Sequence, residues 1–131
     1  MNAVGIDVSK GKSMIAITQP FGVVVAEPFE VSHDGQALSE LVERVKRLPG
    51  ETKAVMEYTG TYYEPIANAL HNAGIFVSVV NPLLIDDYGT NRVRKVKTDK
   101  KDAFKIANYA LDKWTQLRKY IPAEDTRNLR S

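Results

Sequence analysis

Asp99 and Asp102 stand three residues apart inside the most basic stretch of the chain, KVKTDKKDAFKIANYAL at 95–111. Behind them Ala103, Ile106, Ala107, Ala110, Leu111, Trp114 and Leu117 recur at helical spacing, so one helix would present both carboxylates on one face of its first turn. Between 92 and 105 there are seven cations, Arg92, Arg94, Lys95, Lys97, Lys100, Lys101 and Lys105, against those two acids, a balance of +5. The other 11 cations and 14 acids give −3, so the excess positive charge is local. Two close carboxylates among cations are the least that could hold a divalent metal against a phosphodiester. The same aspartates would also serve as first-turn caps that complement a helix dipole.

A chain of 131 residues, 44% hydrophobic and 26% charged, suits one domain with a core of its own. The absence of cysteine excludes disulfides and thiolate metal sites. The opening MNAVGIDVSK is not a signal peptide, and no apolar run approaches the ~18 residues of a membrane span, so a cytoplasmic protein is expected.

The elements that must position the acids follow in order. Residues 2–8, 13–18 and 23–29 read as a three-stranded antiparallel meander, turned at Gly11 and at Gln19-Pro20-Phe21-Gly22. Ser32 or Asp34 can cap a helix carrying Leu38, Leu41, Val42, Val45 and Leu48, stopped by Pro49-Gly50. A strand at 53–57 precedes a Thr59-Gly60 break, a helix with Tyr63, Ile66, Ala67 and Leu70 that ends at Gly74, and a buried strand at 75–80. Residues 83–96 predict a short helix and a mobile loop, and a helix then runs from 99 to about 119. Residues 121–131 read as a polar tail without a packing partner, the start of a linker after a domain at 1–120. A meander followed by alternating strands and helices predicts a mixed α/β fold with helices on both faces.

Asp7 lies near the end of the first strand and Glu57 at the end of the fourth. Ligand crevices in open α/β sheets lie outside the carboxyl ends of parallel strands. If these two strands are parallel neighbours, both acids open into one crevice, and the last helix can bring Asp99 and Asp102 to its rim. Four carboxylates there would need cations between them, and Mg²⁺, an oxygen-liganded ion that bridges phosphates, suits such a cluster. Singly, Asp7 could equally be a turn residue bonded to its own backbone.

The blocks GIDVSK at 5–10, MEYTGTYYEP at 56–65, VNP at 80–82 and KTDKKDAFKIANYA at 97–110 resemble those of the DEDD transposases, the recombinases of the IS-one-ten class of insertion sequences. The resemblance covers nearly the whole chain in the right order. It implies a RuvC-like, ribonuclease H-like domain with a mixed five-stranded sheet, and a tetrad of Asp7, Glu57, Asp99 and Asp102. It further implies Mg²⁺-dependent DNA strand cleavage and exchange, with Mn²⁺ able to substitute, guided by a structured RNA. The implied partners are DNA, that RNA, a C-terminal domain of the same protein and further copies of a homo-oligomeric full-length protein. Family members carry a serine nucleophile in the second domain, and no serine of this chain lies in a matching motif. A fragment ending here is expected to be inactive alone.

Arg92, Arg94, Lys95, Lys97, Lys100 and Lys101 are candidates for phosphate contacts. Tyr58, Tyr62 and Tyr63 could stack on bases or contact phosphate, or equally pack in the core, and of the three Tyr62 is the nucleic-acid-binding candidate. His33 and His71 are isolated and stand outside the site. The competing reading is a module that grips guide RNA with the basic loop and uses its acids structurally. A nucleotide-phosphate enzyme of the actin and sugar-kinase type shares the Gly-Ile-Asp opening but needs Gly-rich phosphate loops that are absent.

Overall fold

Residues 3–6, Ala-Val-Gly-Ile, are small or apolar without alternation, and all four are buried, as a strand covered on both faces requires. In the computed structural model, which describes residues 1–88 and 99–122 and the side chains of all of these but 99–101, that strand is the middle of a five-stranded sheet. The strands are β1 (Asn2–Ser9), β2 (Lys12–Gln19), β3 (Val23–Ser32), β4 (Thr52–Glu57) and β5 (Phe76–Val80), in the order β3-β2-β1-β4-β5. β1, β2 and β3 pair antiparallel, whereas β1, β4 and β5 pair parallel. The sheet is the mixed five-stranded one expected, with helices on both faces.

The meander turns where the backbone can reverse. Gly11 has φ 77° and Gly22 φ 76°, but Phe21 is also left-handed at φ 67°, a conformation that costs a residue with a Cβ about 1 kcal/mol. β3 runs on to Ser32, past the expected end at 29. Pro28 does not stop it because β3 is an edge strand, and the register with β2 slips between Ile15↔Phe29 and Ile17↔Ala26, on either side of that proline.

One face is covered by α1 (Gly35–Lys46) and α2 (Glu64–Asn72). Asp34, not Ser32, caps α1, accepting from Ala37 N at 2.8 Å. Leu38, Leu41 and Val45 of α1 join Ile66, Ala67 and Leu70 of α2 against Val4, Ile6, Ile15, Ile17 and Met56 of the sheet. Beyond α2, Gly74 takes φ 86° and donates to the carbonyl of His71 at 3.0 Å, closing the helix as its sequence suggested.

The opposite face carries α3 (Pro82–Asp87) and α4 (Asp99–Asp112). Ile85, Ile106, Ala107, Tyr109, Ala110 and Trp114 bury there against Ala3, Val55 and Val80. Tyr88 ties the two helices: its ring meets Tyr109 edge to face at 5.8 Å and its hydroxyl donates to Asp112, and burial and that carboxylate push its pKa up to about 12.

The last helix is shorter than its apolar spacing predicts, ending at Asp112 instead of about 119. Lys113 leaves helical geometry, and Trp114–Gln116 form a single 3-10 turn whose Trp114 carbonyl accepts from Lys53 Nζ at 2.8 Å. The Lys53 ammonium also lies over the Trp114 and Phe76 rings, so tertiary contacts fix the chain where local periodicity would have continued it. Nor is the segment that follows free of packing partners. Tyr120 N donates to Val77 O at 2.7 Å and Pro122 is buried, so the expected tail is docked at least to residue 122; residues 123–131 lie outside the described part.

Candidate functional site

Asp7 and Glu57 reach the same end and the same face of the sheet. β1 and β4 are adjacent and parallel, with Gly5 opposite Val55 and Ile6 opposite Met56, and each acid is the next residue along. Ile6 and Met56 face α1 and α2, whereas Val55 packs with α4. By alternation Asp7 and Glu57 point to the α4 side. Neighbouring strands lie about 4.8 Å apart, so the two acids project from adjoining positions.

Gly5 determines how closely α4 approaches. A Cβ at Gly5 would lie 2.3 Å from the carbonyl oxygen of Ala103 and 2.4 Å from the nitrogen of Ala107, so the backbone of α4 rests directly on β1. Ala103 and Ala107, themselves small and fully buried, complete the contact. Asp102 immediately precedes Ala103 and is exposed, on the first turn of a helix lying against the strand that carries Asp7 two residues beyond Gly5. Asp99 opens α4, but its side chain lies outside the described residues, as do those of Lys100 and Lys101. Arg92, Arg94, Lys95 and Lys97 fall wholly outside them.

Glu57 is half-buried, and its pKa is raised first by burial, next by the charge of Asp86 and then by that of Asp102, while Lys105 opposes the rise. Asp86 and Lys105 are members of this electrostatic neighbourhood that were not among the candidates. Lys105 could have been found, since it lies three residues past Asp102 on the same helix. Asp86 could not, because its approach depends on the pairing of β4 with β5, which sets Val80 opposite Glu57 and so starts α3 beside the end of β4. Among the described residues no three His, Asp or Glu side chains form a group that could hold a metal ion.

The loop after Glu57 is built to return sharply into α2. Tyr58 N donates to Val80 O at 2.8 Å, Gly60 takes φ 56°, and Tyr62 N donates to Thr59 O at 3.1 Å. Tyr58 and Tyr62 are 56% and 48% exposed. Tyr63 instead packs against the core and touches Tyr58 and Tyr120. His33 hydrogen-bonds Ser13 at 2.7 Å and His71 lies edge to face with Tyr120, so both make structural contacts away from the acids.

This mixed five-stranded sheet with helices on both faces is that of a RuvC-like ribonuclease H fold. The structure of Thermus thermophilus RuvC in complex with Holliday junction substrate matches with a TM-score of 0.62 at 13% identity, over 88% of this chain and 96% of that one. A second Thermus thermophilus RuvC structure matches with a TM-score of 0.54 at 14% identity over the same shares. The chain belongs to the DEDD transposase family of the IS110 class, which it matches over residues 4–131. It is 42% identical over 55 residues to the pilin gene-inverting protein of Moraxella bovis and 40% identical over 55 residues to that of Moraxella lacunata. The matched stretch is 42% of this chain but 17% of each relative's length. No helix among the described residues is long and apolar enough to cross a membrane.

Proposed function

We propose that this domain cleaves and exchanges DNA strands with divalent cations held by Asp7, Glu57, Asp99 and Asp102. The observation that carries this reading is the meeting of Asp7 and Glu57 at the ends of neighbouring parallel strands, on the face against which α4 lies. The donor chemistry fits Mg²⁺ or Mn²⁺: all four side chains are carboxylates, and hard divalent cations take oxygen ligands. Glu57 adds to the fit, because burial and the charges of Asp86 and Asp102 disfavour its ionised form and a cation would relieve both. When bound, such a cation polarises a phosphoryl oxygen and lowers the pKa of a coordinated water.

The remaining work falls to residues of the chain. The exposed ring of Tyr62 stacks on an unpaired base beside the crevice. Arg92, Arg94, Lys95, Lys97, Lys100 and Lys101 hold phosphates, and their density explains why the positive charge is concentrated in one segment. DNA is the substrate that family membership and the RuvC-like fold support, since the matched RuvC is bound to a Holliday junction and the matched Moraxella relatives are gene-inverting proteins. Guidance by a structured RNA, a serine-bearing second domain and a homo-oligomeric complete protein belong to the same reading.

A second reading rests on that basic segment alone: a module that binds structured RNA, with its acids in structural roles. The two separate on one variant. In the complete protein, Asp7→Ala is expected to abolish strand exchange while RNA binding stays largely intact; normal recombination by that variant would remove the catalytic assignment and leave the RNA module.

A further inference from the structure

We propose that Tyr120 is a positioning residue for the loop at 58–63, through a chain of aromatic contacts that joins the segment after α4 to the residue next to Glu57. Among the described residues Tyr120 is tied to β5 and α2. The backbone nitrogen donates to Val77 O of the edge strand β5 at 2.7 Å, the hydroxyl donates to Asn68 Oδ1 of α2 at 2.7 Å, and the ring meets His71 edge to face at 6.0 Å. From this anchor the ring meets Tyr63 edge to face, centroids 6.0 Å apart at 83°, and Tyr63 meets Tyr58 at 5.3 Å. Tyr58 follows Glu57 directly and is pinned on its other side by the bond from its nitrogen to Val80 O. The two ends of the loop, Tyr58 and Tyr63, are thus held together by rings, and Tyr120 is the far member that ties them to α2 and β5.

The loop needs such an outside restraint because its own chemistry is incomplete. Among the described residues Thr59 Oγ1 is buried without a hydrogen-bond partner, and a buried hydroxyl so placed adds nothing to hold the turn. Tyr63 occupies the N-cap position of α2 with helical backbone angles and makes no side-chain cap, so no capping side chain adds to the backbone bonds from Glu64 N to Thr61 O at 3.1 Å and from Ala67 N to Tyr63 O at 2.9 Å. Beside the local turn bonding and the packing of Tyr63 against the core, the rings restrain the loop. Edge-to-face pairs at these separations contribute beyond the apolar area they bury and impose a relative orientation. In this arrangement the backbone geometry at Glu57 depends on a side chain more than 60 positions later in the sequence.

Amide hydrogen exchange on the 131-residue chain tests this without any activity assay. Tyr120→Leu keeps apolar bulk but removes the ring edge and the hydroxyl, and Tyr120→Phe removes the hydroxyl alone. Exchange at 58–63 is expected to rise roughly threefold to tenfold in Tyr120→Leu and much less in Tyr120→Phe, with β1 amides unchanged. Acceleration confined to 76–79 and 117–122, with 58–63 as in the parent, would overturn the role, as would equal effects of the two variants on the loop. Should Tyr120→Leu fail to fold, Tyr63→Leu, which breaks the same chain of rings at its middle, is read in its place with the same two outcomes. The consequence for function rests on the reading of Glu57 as a cation ligand. Mn²⁺ titration of the same variants separates the two: weaker binding in Tyr120→Leu with a loosened loop supports both, and a loosened loop without detectable Mn²⁺ binding in the parent protein removes the cation reading and leaves the positioning role standing.

Discussion

Glu57 is the residue at which the folded chain works against itself. Its folded pKa lies above the ordinary 4.5, so the folded state binds its proton more tightly than the unfolded chain does. The contribution to stability is therefore fully present below the unfolded pKa and is lost as pH rises through the folded one. Glu57→Gln is expected to raise the melting temperature of the metal-free domain at pH 7, with the gain vanishing towards pH 4. A thermal melt series across that range checks it, and a gain independent of pH would mean that the charge is not the cause. Asp86 is the first charge responsible, so Asp86→Asn is expected to lower the Glu57 pKa in an NMR titration, by more than Asp102→Asn does. His33 works in the opposite sense. Burial holds its pKa below 6.5, so stability is lost as pH falls from 6.5 towards the folded value, and His33→Gln is expected to flatten that part of the stability profile.

Among the elements, the contact of α4 with β1 matters most for the acids. With 2.3 Å and 2.4 Å to helix backbone, an added methyl at Gly5 has no flexible side chain to displace, and α4 must move as a body. Gly5→Ala is expected to cost on the order of 3 kcal/mol in denaturant unfolding and to shift Asp102 away from β1. A cost below ~0.5 kcal/mol would contradict this packing. That contact shows why legibility was uneven. The glycine was visible in GIDVSK, but nothing local says which element comes down upon it. The strands, the capped helix α1 and the Gly74 stop were readable because periodicity, caps and turn residues act over a few positions. The end of α4 was not, since Lys53, 61 positions from Trp114, supplies the bond that fixes the turn. The docking of Tyr120 was hidden for the same reason, since it bonds to Asn68 of α2 and Val77 of β5.

At the scale of the molecule, the sheet order does what no segment could do alone. Placing β1 between β2 of the antiparallel meander and the parallel strand β4 brings residues 7 and 57 to the same end of the sheet, and α4 returns over β1 at Gly5 with Asp102 on its first turn. Two of the four candidate acids could be matched to strand ends from sequence, and their proximity followed only if those strands were parallel neighbours, which they are. Asp86 and Lys105, by contrast, enter through tertiary packing around Glu57. The most direct measurement of whether the convergence has a chemical purpose is calorimetric titration of Mn²⁺ into the domain and into its Asp7→Asn and Glu57→Gln variants, all confirmed folded. Binding by the parent domain that weakens at least about tenfold in each variant is the expected result. Equal affinity in all three, or no binding in any, would contradict a shared cation between the two strands.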